Sequence, residues 1–228
     1  PGTETEILNF ELTEQLNAAI IDDENYMIDI TVAPGTDVTA LQPVISASAG
    51  AAIAPESGVA TDFSDTVTYT VTAEDGVTTQ EWNVVVTVLS DTPTPIKDIQ
   101  YVEGDELIGD NGNSPLLDKT VIVSGIVTAF APQSSWNVIY VQNESGPWNG
   151  IYVYDPNTGE ILQSGDSVKV TGKVAEYYNV TEIEATGIEK IAGRKSLPQP
   201  FEVTGALDES HEGILVTIND VTLSEDDS

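Results

Sequence analysis

Runs of alternating apolar and polar residues recur along most of this chain. The longest, residues 165–183 (GDSVKVTGKVAEYYNVTEI), is longer than one flat strand needs to be. Successive side chains of a strand point to opposite faces, so the pattern predicts strands with one buried face. Gly172 lies inside this run and Gly125 inside residues 119–131, and a missing side chain lets a strand bend and serve two sheets. We therefore expect residues 165–183 to form one long strand that turns a barrel corner.

The second half of the chain contains five β segments in close succession. Five strands with long, coiled first and fourth members are typical of the Greek-key OB-fold, a small closed barrel. The predicted segments are residues 119–131, 137–143, 150–155, 165–183 and 185–193.

The first part of the chain has shorter strands separated by turn signals. Residues 67–88 predict a hairpin, with Gly76 able to take the positive φ of its turn. Residues 7–21 are interpreted as two short strands rather than a helix, and further runs are broken by Pro34-Gly35 and Pro43. Strands at such intervals indicate an Ig-like antiparallel β-sandwich.

A proline-containing segment separates the two halves. Pro93 and Pro95 hold the backbone extended and remove two hydrogen-bond donors, which is typical of a short, stiff linker. We therefore predict an all-β protein with an Ig-like sandwich in residues 1–90, a linker in residues 91–98 and an OB-fold-like domain in residues 99–228.

The composition is strongly acidic and lacks cysteine. Asp and Glu number 38 against 7 Lys and Arg, which gives a formal net charge of −31. Proteins that grip phosphates need a track of basic residues, so a free-standing nucleic-acid binder is disfavoured. Acidity of this kind suits high or marine salt, or the binding of divalent cations, and counting does not separate the two. Disulfides and thiolate metal sites are excluded, and no apolar run reaches membrane-spanning length, so membrane insertion is not expected.

The inventory of reactive side chains predicts a protein that is not an enzyme. His211 is the single histidine and lies among acidic residues, so no multi-histidine metal centre or Cys–His pair can form. A Ser–His–Asp grouping is not excluded by counting, but the sequence has no G-x-S-x-G elbow, and a solvated or structural role for His211 is favoured.

Aromatic residues of the second domain give the stronger binding signal. The outer face of the second and third strands of an OB-fold, with the loops after the first and fourth strands, is its usual ligand face. Alternation places Tyr152 and Tyr154 on one face, while Trp136 and Trp148 lie in polar loops. Plugging the barrel ends is the structural alternative for any of the tyrosines. The candidate ligand-binding residues are Trp136, Tyr140, Trp148, Tyr152, Tyr154, Tyr177 and Tyr178, with Lys169 and Lys173 as bases on one strand face.

Two acidic segments are candidates for a Ca²⁺ site, and no other cofactor is predicted. Residues 20–25 and 103–114 place oxygen ligands close together, although neither matches an EF-hand loop. Acidic turns without metal are the alternative. The candidate ligands are Asp22, Asp23, Glu24, Asp105 and Asp110.

Both halves resemble known modules. The segments ILNFEL, PESGVATDFSDTVTYTVTAEDG and WNVVVTV resemble the Ig-like modules of Bacteroidota surface and secreted proteins. The segments VSGIVTAF, IYVQNESGPWNGIYVYD and GDSVKVTGKVAEYYNVTEI are similar to the OB-like domain found beside the catalytic domain of secreted bacterial nucleases. This resemblance implies an accessory module on an exported protein, and the catalytic part of those nucleases has no counterpart here.

We therefore expect a non-catalytic binding or positioning module of a secreted or surface-exposed bacterial protein. Three hypotheses follow. The first is an accessory to an extracellular nuclease that holds DNA or another polymer. The second is a surface adhesin or glycan-binding module that stacks sugars of a polysaccharide on Trp136 and Trp148. The third is a structural subunit of an extracellular assembly that associates with itself or with neighbouring domains through exposed strand edges.

Overall fold

The structure is a computed structural model that describes residues 1–101, 113–156 and 161–219. It is all-β and forms two compact units, Pro1–Asp91 and Thr92–Ser228. The predicted fold class is confirmed, including a closed five-stranded barrel in the second unit.

The first unit pairs its strands in two sheets that share one apolar core. One sheet has the order β1-β4 and the other the order β2-β3-β7-β6-β5. The strands are β1 (Ile7–Glu11), β2 (Ile20–Asp22), β3 (Met27–Val32), β4 (Val44–Ala47), β5 (Ala52–Ala54), β6 (Val67–Thr72) and β7 (Thr79–Val88), with a 3₁₀ turn at Val38–Ala40. The larger sheet is mixed rather than purely antiparallel, because β3 and β7 run parallel.

Aromatic side chains fill the core between these two sheets. Phe10 meets Tyr69 edge to face with ring centroids 5.4 Å apart, and Phe63 packs beside both. Trp82 is fully buried, and its indole N–H donates to the carbonyl oxygen of Thr5 at 3.0 Å. The indole therefore gains burial and satisfies its polar atom.

The predicted hairpin joins β6 and β7. Gly76 has φ = 72° at the turn, and the Asp75 carboxylate accepts the backbone N–H groups of Val77 and Thr78 at 2.8 Å. The turn therefore has two features that are common in tight turns, a glycine at positive φ and an aspartate whose side chain accepts hydrogen bonds from the backbone that follows it.

The second unit is built around the barrel β10-β12-β11-β8-β9. β10 and β12 pair in parallel, and the four other pairings are antiparallel, as in an OB-fold. A parallel pair, β13-β14, follows the barrel strands in sequence. The elements are α1 (Ile96–Gln100), β8 (Thr120–Pro132), β9 (Asn137–Gln142), β10 (Gly150–Asp155), β11 (Ser167–Tyr177), β12 (Val180–Ala192), β13 (Phe201–Val203) and β14 (Val216–Ile218), with a 3₁₀ turn at Glu209–His211.

The barrel closes because β8 serves two neighbours. Its first half pairs with β11 and its second half with β9, and the change occurs at Ile126, next to Gly125. A Cβ atom on Gly125 would lie 2.7 Å from Val141 Cγ1 and 2.8 Å from the carbonyl oxygen of Gln142. The glycine thus permits a close strand approach at the corner, as the sequence predicts.

The prediction of one strand over residues 165–183 is wrong. This stretch is a hairpin in which β11 ends at Tyr177 and β12 begins at Val180. Tyr178 and Asn179 form its turn with φ = 51° and 63°. Positive φ at both central residues is the type I′ geometry, for which the usual sequence is Asn-Gly or Asp-Gly. The fifth barrel strand accordingly starts before the predicted residue 185.

Candidate functional site

A cleft rich in aromatic side chains lies on the outer face of the barrel. It has a volume of about 450 Å³, and we call it the aromatic cleft. Its floor comes from β10 and β12, whose parallel register sets Tyr152 beside Glu182 and Tyr154 beside Glu184. Their strand neighbours Ile151, Val153 and Ile183 are buried in the barrel core. The lining residues are Trp136, Tyr152, Tyr154, Tyr177, Glu182 and Glu184.

Two further aromatic residues bound the aromatic cleft along the strand direction. Trp136 lies in the turn between β8 and β9, which its carbonyl closes by accepting the Gln133 N–H at 2.8 Å. Tyr177 ends β11 on the opposite side. Their exposed fractions are 38% and 62%, so both rings can be reached from solvent.

Edge-to-face ring contacts hold the tyrosines in place. Tyr140 on β9 meets Tyr152 with ring centroids 5.5 Å apart, and Tyr177 meets Tyr178 at 4.6 Å. Such pairs contribute about 0.5–1.5 kcal/mol beyond the area they bury. Tyr178 is 86% exposed and lies outside the lining of the cleft.

The carboxyl groups of the cleft lie in contrasting environments. Glu182 is 7% exposed, and burial, followed by the charges of Glu184 and Glu176, raises the pKa of its carboxyl. Burial also raises the pKa of Tyr152, and the charge of Glu182 adds to this effect. Glu184 is more exposed and pairs with Lys173 at 3.4 Å. The cleft therefore offers acceptors for hydroxyl donors and a negative local potential.

The remaining predicted ligand residues lie outside the cleft. Trp148 has φ = 68°, donates its backbone N–H to Ser210 at 2.8 Å and packs edge to face against Tyr101. Lys169 and Lys173 share one face of β11, as predicted, but neither lines the cleft. Lys173 is held by Asp118 and Glu184 instead.

The residues proposed for Ca²⁺ are not assembled into a site where they are described. Asp22 accepts the backbone N–H groups of Glu24 and Asn25 and the amide of the Asn25 side chain, which is a turn-forming role. Within residues 1–101, 113–156 and 161–219, no three His, Asp or Glu side chains are grouped as metal ligands. Asp105 and Asp110 lie outside the described residues.

Ser210, His211 and Asp208 come together, but not as a catalytic triad. Asp208 Oδ1 lies 2.8 Å from His211 Nδ1, and Ser210 Oγ lies 3.4 Å from the same nitrogen. A triad requires the serine and the acid on opposite ring nitrogens. The Asp208 carboxylate also accepts the Ser210 N–H at 3.0 Å, so the cluster caps the 3₁₀ turn at Glu209–His211.

Sequence reasoning missed the two glutamates of the cleft. Glu182 and Glu184 alternate with Thr181 and Ile183, so the pattern shows that they share a face. It does not show that this face adjoins Tyr152 and Tyr154, because the parallel pairing of β10 and β12 joins distant segments.

Comparison with known proteins gives a family match for the first unit. Residues 7–86 match the family described as "SGBP, N-terminal", a module of Bacteroidota surface proteins. No curated protein matches the chain. None of the described helices is long and apolar enough to cross a membrane.

Several solved structures from Bacteroides are similar to parts of the chain. A candidate glycoside hydrolase from Bacteroides thetaiotaomicron is 26% identical, with a TM-score of 0.36 over 64% of this chain and 47% of that one. A DUF4623 family protein from Bacteroides eggerthii is 15% identical, with a TM-score of 0.34 over 83% and 50%. The chain thus spans about half the length of either, and TM-scores this low carry no conclusion on function. What the family match establishes is that the first unit is similar to an N-terminal module of glycan-binding surface proteins from Bacteroidota.

Proposed function

We propose that this chain is a non-catalytic glycan-binding module of a surface-exposed Bacteroidota protein. In this proposal the barrel holds the glycan in the aromatic cleft, and the first unit acts as a spacer. The observation that carries it is the combination of aromatic rings and carboxylates in one open cleft. The match of residues 7–86 to a module of glycan-binding proteins supports the same class.

The chemistry of the cleft suits a sugar chain. A pyranose ring has apolar C–H faces that pack on aromatic rings, and hydroxyl groups at its edge that donate hydrogen bonds. Trp136, Tyr152 and Tyr154 supply rings, while Glu182 and Glu184 supply acceptors. Small OB barrels bind oligosaccharides on the face of the second and third strands with their flanking loops. The aromatic cleft shares the third strand, β10, the connection after the first strand and the end of the fourth strand, and it adds the fifth strand, β12.

The same cleft is poorly suited to nucleic acid. Its two carboxylates would face the phosphates, and none of the seven Lys and Arg residues lines it. Lys173, which pairs with the cleft residue Glu184, also contacts Asp118. Phosphate binding needs free cations, so the glycan hypothesis is preferred over the nuclease-accessory one.

Binding to a panel of polysaccharides tests this proposal. The full chain is titrated with soluble starch, a mixed-linkage β-glucan, an arabinoxylan and a galactomannan while tryptophan fluorescence and heat are recorded. We expect at least one to bind, and Trp136→Ala or Tyr154→Ala to weaken that binding at least tenfold. A tenfold loss equals about 1.4 kcal/mol, an ordinary value for a stacking ring.

Tyr101→Ala is the matched control, since Tyr101 is an exposed ring of the same unit that packs on Trp148 away from the cleft. Its affinity should stay within about twofold of the parent, which is within ordinary variation for residues outside a binding site. Absence of binding to every polysaccharide, or equal losses for Tyr101→Ala and Trp136→Ala, would contradict the proposal.

A further inference from the structure

We propose that the aromatic cleft selects uncharged glycan chains and rejects chains that carry carboxylate or sulfate groups. This inference rests on the proposed function and specifies its substrate class. It follows from where the carboxylates lie, rather than from the acidity of the whole chain.

The two carboxylates are positioned beside the rings on which a sugar would stack. In the parallel register, Tyr152 is level with Glu182 and Tyr154 with Glu184. Neighbouring strands lie about 5 Å apart. A sugar ring on either tyrosine therefore lies within reach of a carboxylate, and any anionic substituent of that ring is brought near a like charge.

Lys173 offsets part of the charge of Glu184, but no basic side chain lines the cleft and none forms an ion pair with Glu182 among the described residues. Lys173 bridges Glu184 and Asp118, at 3.4 and 3.5 Å, from outside the lining. Farther along the barrel, Lys190 pairs with Asp166 at 2.7 Å and Arg194 donates to Gln163 at 2.8 Å. These basic groups are engaged with protein partners and are not among the residues that line the cleft.

Glu182 is the stronger of the two determinants. It is 7% exposed, its counterpart on β10 is a tyrosine, and no basic side chain forms an ion pair with it among the described residues. Hydroxyl groups of a neutral sugar can donate to it, whereas a carboxylate or sulfate can offer only acceptors. An anionic sugar at this position loses a hydrogen bond and also meets repulsion.

Matched derivatives of one polymer isolate this effect. Each polysaccharide of the panel is converted to a hydroxyethyl and a carboxymethyl derivative of equal substitution, which differ mainly in charge. The Debye length in 20 mM salt is roughly three times that in 0.15 M buffer, so charge repulsion is screened less. Under these conditions we expect the full chain to bind the hydroxyethyl form at least tenfold more tightly than the carboxymethyl form. The ratio should shrink in part in 0.5 M salt, because salt screens the exposed Glu184 more than the buried Glu182.

Charge-neutral variants test whether the cleft carboxylates are responsible. Glu182→Gln should reduce the preference for the hydroxyethyl form to within about threefold, a loss of most of a tenfold ratio. Glu184→Gln should reduce it in the same direction and also release one partner of Lys173. Glu189→Gln on the same strand removes one charge outside the cleft and should leave the ratio unchanged.

The outcomes separate this inference from the proposed function. Equal binding of both derivatives, or a preference that persists in Glu182→Gln and Glu184→Gln, overturns the selectivity and leaves glycan binding intact. A preference that Glu189→Gln reduces as strongly assigns the effect to overall charge and overturns it as well. If no polymer or derivative binds, the proposed function and this inference both fail.

Discussion

Neutralising Glu212 is expected to stabilise the barrel unit at alkaline pH. Glu212 follows the 3₁₀ turn Glu209–His211, and its Oε2 is buried without a hydrogen-bond partner among the described residues. Burial raises the pKa of Glu212 to about 8, and the neighbouring carboxyl of Glu209 and the charge of Glu176 add to this effect. The folded protein therefore favours the protonated acid.

The sign of the pH dependence follows from this raised pKa. Between the ordinary value of 4.5 and about 8, the unfolded chain has lost the Glu212 proton while the folded chain retains it. The free energy of unfolding therefore falls as pH rises through this window and levels off above it. The full displacement corresponds to about 5 kcal/mol at 1.36 kcal/mol per pKa unit. Because water reaches part of this carboxyl, we expect about 1–2 kcal/mol.

Scanning calorimetry of the full chain at pH 5, 7 and 9 measures this effect. Glu212→Gln resembles the protonated acid, so it should match the parent near pH 5 and raise the midpoint of one transition by about 3–8 °C at pH 9. Glu189→Gln removes the same charge from an exposed position of β12 and should show no such growth with pH. A midpoint difference between Glu212→Gln and parent that is constant from pH 5 to 9 would refute the reasoning.

Two substitutions test how the barrel is held together. The buried Asn137 amide donates to Asp155 Oδ2 at 2.8 Å, and Asp155→Ala leaves it without that partner. We therefore expect the free energy of unfolding in urea titrations to fall by about 1–3 kcal/mol. An unchanged urea midpoint would contradict this. Gly172→Ala should cost about 1–3 kcal/mol or more, because its Cβ would collide with the carbonyl oxygen of Glu184. Gly187→Ala has no neighbour within 4 Å and is the control that should change little.

The barrel could be predicted from sequence because its signals are local. Alternation identifies the strands, and Gly125 marks the corner where β8 changes partners. The turn at Tyr178-Asn179 could not be predicted from the sequence, because its positive φ values are imposed by the pairing of β11 with β12 and not by a glycine. Local pattern reports which residues can form a strand, and tertiary pairing decides where a hairpin reverses.

The candidate site could be predicted only in part, for a related reason. The placement of Tyr152 and Tyr154 on the outer face follows from alternation, whereas the identity of the residues beside them does not. Trp148 carries the same sequence signal as Trp136, an indole in a polar loop, yet it packs against Tyr101 instead of the cleft. Trp136 precedes β9 and Trp148 follows it, which the sequence shows, but the sequence does not show at which of these two ends the cleft lies.

Part of the acidity in the first unit has a structural use. Asp22, Asp37, Asp62 and Asp75 each accept hydrogen bonds from a following side chain and from backbone N–H groups. The side-chain bonds, followed by the backbone bonds, lower the pKa of each carboxyl below its usual value. Their stabilising effect is present above that usual value and is lost as pH falls. These aspartates supply the acceptors that tight turns need, so the excess of acid in this unit is not by itself a sign of cation binding.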